Sequence, residues 1–209
     1  MSNQEGAKKP HKASYHHGDL PRALVAAAGQ LIDAGEGARL TLRAAAQAAG
    51  VSVAAPYRHF ADREALLAGT LAEGFKELTR RTDAARAAEA DPMAALLATG
   101  LAYVRFAAER PRCYRLMFGP ECDKASYPDL LQAGHAALAV LQQAVADCHA
   151  AKLIGDADVG QVTLAGWSLT HGLAALYADG LLANTAAAAQ LEATARVLIE
   201  MLIRGLRAP

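Results

Sequence analysis

The segment GVSVAAPYRHF, at residues 50–60, places three hydrogen-bonding side chains in a row at Tyr57, Arg58 and His59. A phenol, a guanidinium and an imidazole can all donate hydrogen bonds to phosphate oxygens, and such contacts fix the register of a protein on a duplex. The residues directly before them form a short apolar stretch with no charge. We therefore interpret this segment as part of a surface that lies against DNA.

An enzyme is the rival class, because the chain also contains cysteines and histidines: Cys113, Cys122, Cys148, His135, His149 and His171. Their spacing matches no metal motif, and the sequence has neither a glycine-rich phosphate loop nor a nucleophile elbow. We therefore expect no catalytic residue, no metal and no cofactor, and a thiol or metal enzyme remains the less favoured alternative. Three cysteines without a C-x-x-C pair also argue against a disulfide framework and indicate a reducing compartment.

The composition allows one large domain or two small ones, since 209 residues with 53% hydrophobic content can bury a full core. Residues 1–82 carry 11 basic and 8 acidic side chains, and the remainder carries 10 and 13. This asymmetry fits a nucleic-acid-binding head on an acidic body, although chance variation in a neutral protein explains it equally well. The N-terminus lacks the apolar stretch of a signal peptide, and no run reaches the roughly 18 apolar residues of a membrane span. We expect a cytoplasmic protein with no membrane partner.

Helical periodicity runs through the whole chain, and no strand pattern of useful length interrupts it, so the predicted fold is all-α. A first helix spans Leu20–Ala34, with Asp19 as its N-cap. Thr41 is placed to cap a short helix that ends at Ala49. Gly50 supplies the left-handed residue of a tight turn, and Ser52 then caps a second short helix to His59. Two short helices joined by a glycine turn predict a three-helix helix-turn-helix head, with its second helix in a major groove.

The remaining two thirds of the chain predict a helical bundle. Prolines at 92, 111, 120 and 128 are expected at or near helix starts. The last two long segments, residues 162–182 and 191–206, are so apolar that we expect them to pack inside the bundle and against a second copy of the chain. The predicted organisation is a mobile arm (1–13), a DNA-binding head (14–62) and an effector-binding and dimerisation body (63–209).

The stretch TLRAAAQAAGVSVAAPYRHFADREALL, residues 41–67, resembles the DNA-binding signature of the tetracycline-repressor (TetR) family of bacterial transcription regulators. The shared features are a helix led by Thr41, an alanine four residues before GVS, the aromatic pair Tyr57 and Phe60, and an acidic-basic-Glu-x-Leu stretch that follows. The resemblance implies an all-α fold, binding to a near-palindromic double-stranded DNA operator, and a homodimer.

The resemblance also implies roles for individual residues. Phosphates would be contacted by Thr41, Tyr57, His59 and Arg63, and Arg43 would read a guanine edge. The second helix, capped by Ser52, would present only methyl groups suited to thymine, at Val53, Ala54 and Ala55. Two residues depart from the family pattern. Ala45 replaces a bulkier aliphatic side chain, and Pro56 replaces a residue with an N–H, so the recognition helix is expected to start late or to bend.

A second motif, GWSLTHGLAALYADG at residues 166–180, is similar to the C-terminal domain of one TetR subgroup, known for its Trp, His and Gly. That resemblance implies dimerisation through the last two helices and a cavity for an unknown small-molecule effector. The candidate lining residues are Tyr103, Phe106, Met117, Phe118, His135, Trp167, His171 and Tyr177. The alternative is that most of them are ordinary core side chains. Trp167 and His171 would then be a structural pair, with the imidazole bonded to a backbone carbonyl.

Together these patterns predict a DNA-binding transcription regulator, a repressor by family resemblance, that an effector releases from its operator. The alternative function is a ligand-binding or protein-interaction bundle that does not bind DNA productively. The two differ in whether substitutions at Arg43 and Tyr57 change DNA binding.

Overall fold

A computed structural model describes residues 20–155 and 157–206, so the predicted arm (1–13) and the Asp19 cap lie outside the described residues. Within these residues the chain forms helices and turns and no strand, as the periodicity predicts. The helices are α1 (Leu20–Asp33), α2 (Leu42–Ala48), α3 (Arg63–Ala87), α4 (Pro92–Glu109), α5 (Pro111–Phe118), α6 (Pro128–Ala150), α7 (Val159–Ala178), α8 (Ala186–Ala189) and α9 (Leu191–Leu206). Short 3-10 turns occur at Gly37–Arg39, Pro56–Arg58 and Lys124–Ser126.

Both ends of α2 form as the sequence predicts. The hydroxyl of Thr41 accepts a hydrogen bond from the Ala44 amide at 3.0 Å and caps the first turn. At the other end Gly50 takes a left-handed conformation with φ of 68°. The amide of Val51 then donates back to the Ala46 carbonyl at 3.0 Å, which closes the helix end. The turn of the predicted helix-turn-helix is therefore present.

The second helix of that motif was predicted from Ser52 to His59. This prediction of an α-helix is wrong. Only a 3-10 turn, Pro56–Arg58, forms there. The amide of Ala55 donates to the Ser52 carbonyl at 2.9 Å, and the next residue is a proline with no N–H to continue a regular ladder. The amides of His59 and Phe60 both donate to the Pro56 carbonyl at 2.9 Å. Pro56 therefore shortens the recognition segment to a compact turn.

Helix α3 extends without a break from the head into the body. It begins where the Asp62 carboxylate accepts a hydrogen bond from the Ala65 amide at 2.8 Å, and it continues for 25 residues. One hydrophobic cluster contains Leu24 of α1, Leu66 of α3 and Phe106 of α4, and all three side chains are fully buried. The boundary at residue 62 stays a prediction, because the packing joins the two sides through α3.

Prolines start three of the body's helices. Pro92, Pro111 and Pro128 are the first residues of α4, α5 and α6, where the missing N–H costs no hydrogen bond. Pro120 was also expected at or near a helix start, but it lies in the turn after α5. These short connections fold α3, α4, α6 and α7 into a bundle, and α9 packs on α4 and α7.

The two last long helices are not buried on every side in a single chain. Helix α7 exposes 59% of Leu164 and 43% of Leu176, and α9 exposes 52% of Val197 and 57% of Met201. Their opposite faces pack into the second hydrophobic cluster of the body. No helix among the described residues is long and apolar enough to cross a membrane.

Candidate nucleic-acid interface and effector cavity

Most of the predicted DNA contacts are exposed to solvent on the head. The exposed members are Thr41, Arg43, Ser52, Val53, Ala54, Tyr57 and His59, and Ala55 is half-buried. Tyr57 is decisive, because 64% of this aromatic residue is accessible to solvent. An aromatic residue that served only to fill the core would not be exposed to this extent. Phe60 is the opposite case, since it packs against the core within reach of Gly69 and Val25.

Arg43 is the second residue of α2, and its side chain is exposed. It makes no ion pair and no side-chain hydrogen bond with another described residue, unlike Arg105 and Arg110 of the body. Its guanidinium is therefore available to donate two parallel hydrogen bonds to a partner outside the chain. Guanine offers a matching pair of acceptors, O6 and N7, in the major groove.

Arg63 has a structural role that its position in the motif does not reveal. Its Nε donates to the Leu40 carbonyl at 2.8 Å, and Nη2 lies 3.4 Å from the Gly37 carbonyl. These bonds fix the turn that leads into α2, and the sequence indicates only the charge of the residue. Arginine carries five N–H donors, so others remain for a phosphate.

In the body, three of the predicted residues come together around a cavity of about 50 Å³. They are Tyr103 of α4, Phe118 of α5 and Trp167 of α7. The remaining wall is mostly apolar and comes from α3, α4, α6 and α7: Phe75, Leu78, Thr82, Thr99, Gly100, Gly134, Ala137, Leu138, Leu141 and Thr170. Among the described residues, no charged side chain lines this cavity.

Four other predicted lining residues do not face this cavity. Phe106 and Met117 have no exposed surface and belong to the core. His135 is exposed on α6. Tyr177 is half-buried and packs against the second cluster. For these residues the structure favours ordinary packing or solvent exposure over a place in the cavity wall.

His171 lies beside the cavity in a polar cluster with two phenols. The hydroxyl of Tyr114 lies 2.7 Å from His171 Nδ1, and the hydroxyl of Tyr103 lies 3.0 Å from the same nitrogen. The two hydroxyls are 3.1 Å apart. Nδ1 of the imidazole is therefore bonded to two phenols, and no bond from this ring to a backbone carbonyl is present among the described residues. The imidazole also keeps its pairing with Trp167, whose ring centroid is 5.7 Å away.

Tyr114 is a member of this cluster that the sequence patterns do not indicate. It is fully buried on α5, 11 residues after Tyr103 and on the far side of the proline that starts a new helix. Helical periodicity relates residues within one helix, so it gives no signal for contacts between α4, α5 and α7.

The cluster carries no charge near neutral pH. Burial raises the pKa of Tyr103 to about 12 and raises the pKa of Tyr114 further. Burial also lowers the pKa of His171, which favours the neutral imidazole. The lining and the cluster behind it are therefore neutral, and an ion that entered would lose its hydration without gaining a counter-charge.

The thiols offer no nucleophile at physiological pH. Cys113, Cys122 and Cys148 are free and buried, and burial raises the pKa of Cys113 and of Cys148 to about 11. The thiolate is the reactive form, so these side chains are packing residues in the described structure. No group of three or more His, Cys, Asp or Glu side chains suited to a metal ion exists in the described part of the chain.

A charged contact joins the head to the body beside α5. Arg110 precedes this helix, and its guanidinium bonds the Asp33 carboxylate of α1 at 2.8 and 3.0 Å. A third bond connects Arg110 to Glu77 of α3. The next arginine, Arg112, donates to the Asp33 carbonyl at 2.7 Å. The end of α1 is therefore held by residues at the start of α5, the helix that carries Tyr114 and Phe118.

Comparison with protein families identifies the class of protein that this fold and surface define. Residues 24–70 match the bacterial regulatory proteins of the tetR family, and residues 96–202 match the tetracyclin repressor-like C-terminal domain. The chain belongs to the TetR family and is a DNA-binding transcription regulator. Regulators of this family bind DNA operators and act as dimers. No curated protein matches the chain significantly.

Solved structures share the fold over nearly the whole chain. A Rhodococcus sp. RHA1 protein of unknown function is 32% identical, with a TM-score of 0.82 over 94% of this chain and 100% of its own. A TetR-family regulator from Pectobacterium atrosepticum is 20% identical, with a TM-score of 0.72 over 91% and 95% of the two chains. The TetR-family regulator PfmR from Thermus thermophilus is also 20% identical, with a TM-score of 0.66 over 90% and 97%.

Proposed function

We propose that this protein is a homodimeric repressor that leaves a near-palindromic operator when a small-molecule effector occupies the cavity of the body. The observation that carries the proposal is the exposure of Arg43 and Tyr57 on the head. Arg43 supplies the base contact, and Tyr57, with Thr41 and His59, supplies phosphate contacts. The exposed methyl groups of Val53 and Ala54, just before the Pro56–Arg58 turn, contact the methyl groups of thymine.

Effector release requires a path from the cavity to the head, and α5 supplies one. Phe118 lines the cavity at one end of this helix, and Arg110 bonds Asp33 of α1 at the other. An effector that displaces Phe118 shifts α5 and, through the arginine, the position of α1. The effector acts only to the extent that it binds the DNA-incompetent arrangement more tightly than the DNA-competent one.

The exposed apolar face of α7 and α9 is the proposed dimer interface. It places two heads on one duplex, with half-sites about one helical turn, or a multiple of it, apart. Repression, rather than activation, rests on the family's usual mode of action.

Fluorescence anisotropy tests the proposal with a duplex from immediately upstream of the coding region and a scrambled duplex of equal length. We expect tight binding to the upstream duplex alone, with affinity that falls steeply between about 50 and 200 mM salt. Equal and weak binding to both duplexes would favour the alternative of an interaction bundle. The recognition segment makes that alternative a real outcome, because Val53, Ala54 and Ala55 offer a base only methyl groups.

A further inference from the structure

The cavity has an apolar extension that the candidate residues do not explain. A second cavity of about 20 Å³ lies between α4, α6, α7 and α9. Its walls are leucine, isoleucine, valine and glycine, and Thr170 is the only polar residue among them. Gly100, Leu141 and Thr170 line both cavities, so the two spaces adjoin each other.

Flexible side-chain ends form the partition between the two cavities. A Cβ atom at Gly100 would lie 2.7 Å from Ile199 Cδ1 and 3.3 Å from Thr170 Cγ2, so these two side chains already fill the space beside Gly100, and the end of Ile199 must turn away for the cavities to join. Leu141, the third shared residue, can change rotamer at small cost compared with a shift of backbone. An occupant longer than the first cavity can therefore extend into the second.

Polarity is confined to one end of this combined space. The three threonines of the first cavity already donate their hydroxyl protons to carbonyls of their own helices, at 2.8–2.9 Å. Tyr103 and Trp167 are the remaining lining residues with polar side-chain groups, and the Tyr103 hydroxyl connects to Tyr114 and His171. Neither cavity is lined by a charged side chain.

We propose that the two cavities together bind one uncharged, elongated amphipathic molecule. Its single hydroxyl or carbonyl group bonds at Tyr103, and its hydrocarbon portion passes Gly100 into the second cavity. This inference rests on the proposed function for the claim that the occupant is the effector. The ligand class itself rests only on the cavities. A molecule of the same length that carries a carboxylate or an ammonium group is excluded, because no described side chain in the wall compensates its charge.

Trp167 is the only tryptophan of the chain, so its fluorescence reports occupancy of the first cavity directly. The wild-type protein is titrated with 1-octanol, octanoate and octylammonium, which share one chain length and differ in charge. We expect 1-octanol to bind at least about ten-fold more tightly than either ion. Binding of an ion as tight as that of the alcohol, or no binding of the alcohol, would overturn the inference.

Two matched glycine substitutions test the direction of the ligand. Gly134 lines the first cavity and Gly166 the second, and a Cβ at either position makes only ordinary contacts, at 3.8 Å or more. In the wild type, each methylene added from 1-hexanol to 1-decanol is expected to tighten binding up to about four-fold. Gly166→Ala is expected to remove this gain in affinity for the longer alcohols only. Gly134→Ala is expected to weaken the binding of all the alcohols. Wild-type binding that does not depend on chain length would show that the second cavity is not used.

Tyr103→Phe, with Tyr177→Phe as control, tests the polar end. The loss of one hydroxyl partner is expected to weaken the binding of 1-octanol about five-fold in Tyr103→Phe and to leave it unchanged in Tyr177→Phe. Equal affinities of both variants and the wild type would contradict the assignment of the polar end.

The fluorescence titrations contain no DNA, so they separate this inference from the proposed function. If 1-octanol binds and the operator is not released, the ligand class stands and the effector role fails. If no alcohol binds while the operator is still recognised, the inference fails and the regulator stands.

Discussion

Arg43 and Tyr57 are both exposed on the head but are expected to contribute differently to DNA binding. Arg43→Ala removes a base contact, so discrimination at one operator position is expected to fall by about 1–3 kcal/mol. Tyr57→Phe removes a phosphate contact and is expected to weaken binding to every DNA sequence alike, by about 1.5–3 kcal/mol. Anisotropy with single-position operator variants distinguishes the two effects. A uniform loss for Arg43→Ala would place this arginine on the phosphate backbone.

Single residues also show which parts of the site the sequence can reveal. Thr41 and Gly50 were predictable because a cap and a left-handed turn are local requirements of the backbone. Tyr114 was not predictable, because its partners come from other helices. The second role of Arg63 was hidden for the same reason, since the carbonyls that it binds lie more than 20 residues earlier in the chain.

At the scale of elements, the contact between α1 and α5 is expected to stabilise the fold. Asp33 Oδ1 is buried and has no hydrogen-bond partner among the described residues, so Arg110 supplies the main compensation for this carboxylate. Arg110→Met is expected to cost about 2 kcal/mol, because it leaves the Asp33 carboxylate, with its buried Oδ1, unpaired and leaves Glu77 with Arg81 alone. The control is Arg105→Met, whose ion pair with Glu192 is half exposed and whose loss should cost below about 1 kcal/mol. Urea unfolding measures both, and equal losses would contradict a special role for Arg110.

The same cluster predicts a pH dependence. Burial opposes ionisation of Glu77, but the hydrogen bonds and charges of Arg81 and Arg110 outweigh it and hold the pKa of this carboxylate below its usual value of 4.5. A lowered pKa in the folded state adds stability that is fully present above pH 4.5 and is lost as the pH falls through the folded value. Wild type should therefore exceed Glu77→Gln in stability at neutral pH, and the difference should narrow below pH 4.5. A difference that stays constant from pH 7 to the acid transition in urea unfolding would rule out this linkage.

The helical type of the elements was predictable from the period of the hydrophobic residues. Their ends were predictable from local features such as the Thr41 cap and Gly50. The recognition helix was the exception, because Pro56 interrupts a segment too short to reform beyond it. Helix α7 was expected to be buried because it is apolar on most sides, but one of its faces, with Leu164 and Leu176, is exposed in the single chain. A single sequence gives the apolar faces and cannot say which neighbour covers each one.

At the scale of the whole molecule, the exposed face of α7 and α9 has the pattern of a helix-packing surface. On α7 the residues Leu164, Ser168, Gly172 and Leu176 follow one another at intervals of four. On α9 the same interval relates Val197, Met201 and Gly205. Ridges with a four-residue interval are those that interdigitate between packed helices. A Cβ atom at Gly172 or at Gly205 would meet no atom within 4 Å, which leaves room for a close partner.

Leu164→Glu tests this face, and Leu131→Glu on α6 is the matched control at another exposed leucine, 40% accessible compared with 59%. Two-fold symmetry places each substitution in the interface twice, so a carboxylate at Leu164 is buried on both sides without a partner. We expect sedimentation to show monomers for Leu164→Glu and dimers for Leu131→Glu. A monomer holds only one half-site, so Leu164→Glu should also bind a two-half-site operator no more tightly than a single half-site. If Leu164→Glu stays dimeric, another surface joins the chains, and the arrangement of the two heads must follow from that surface instead.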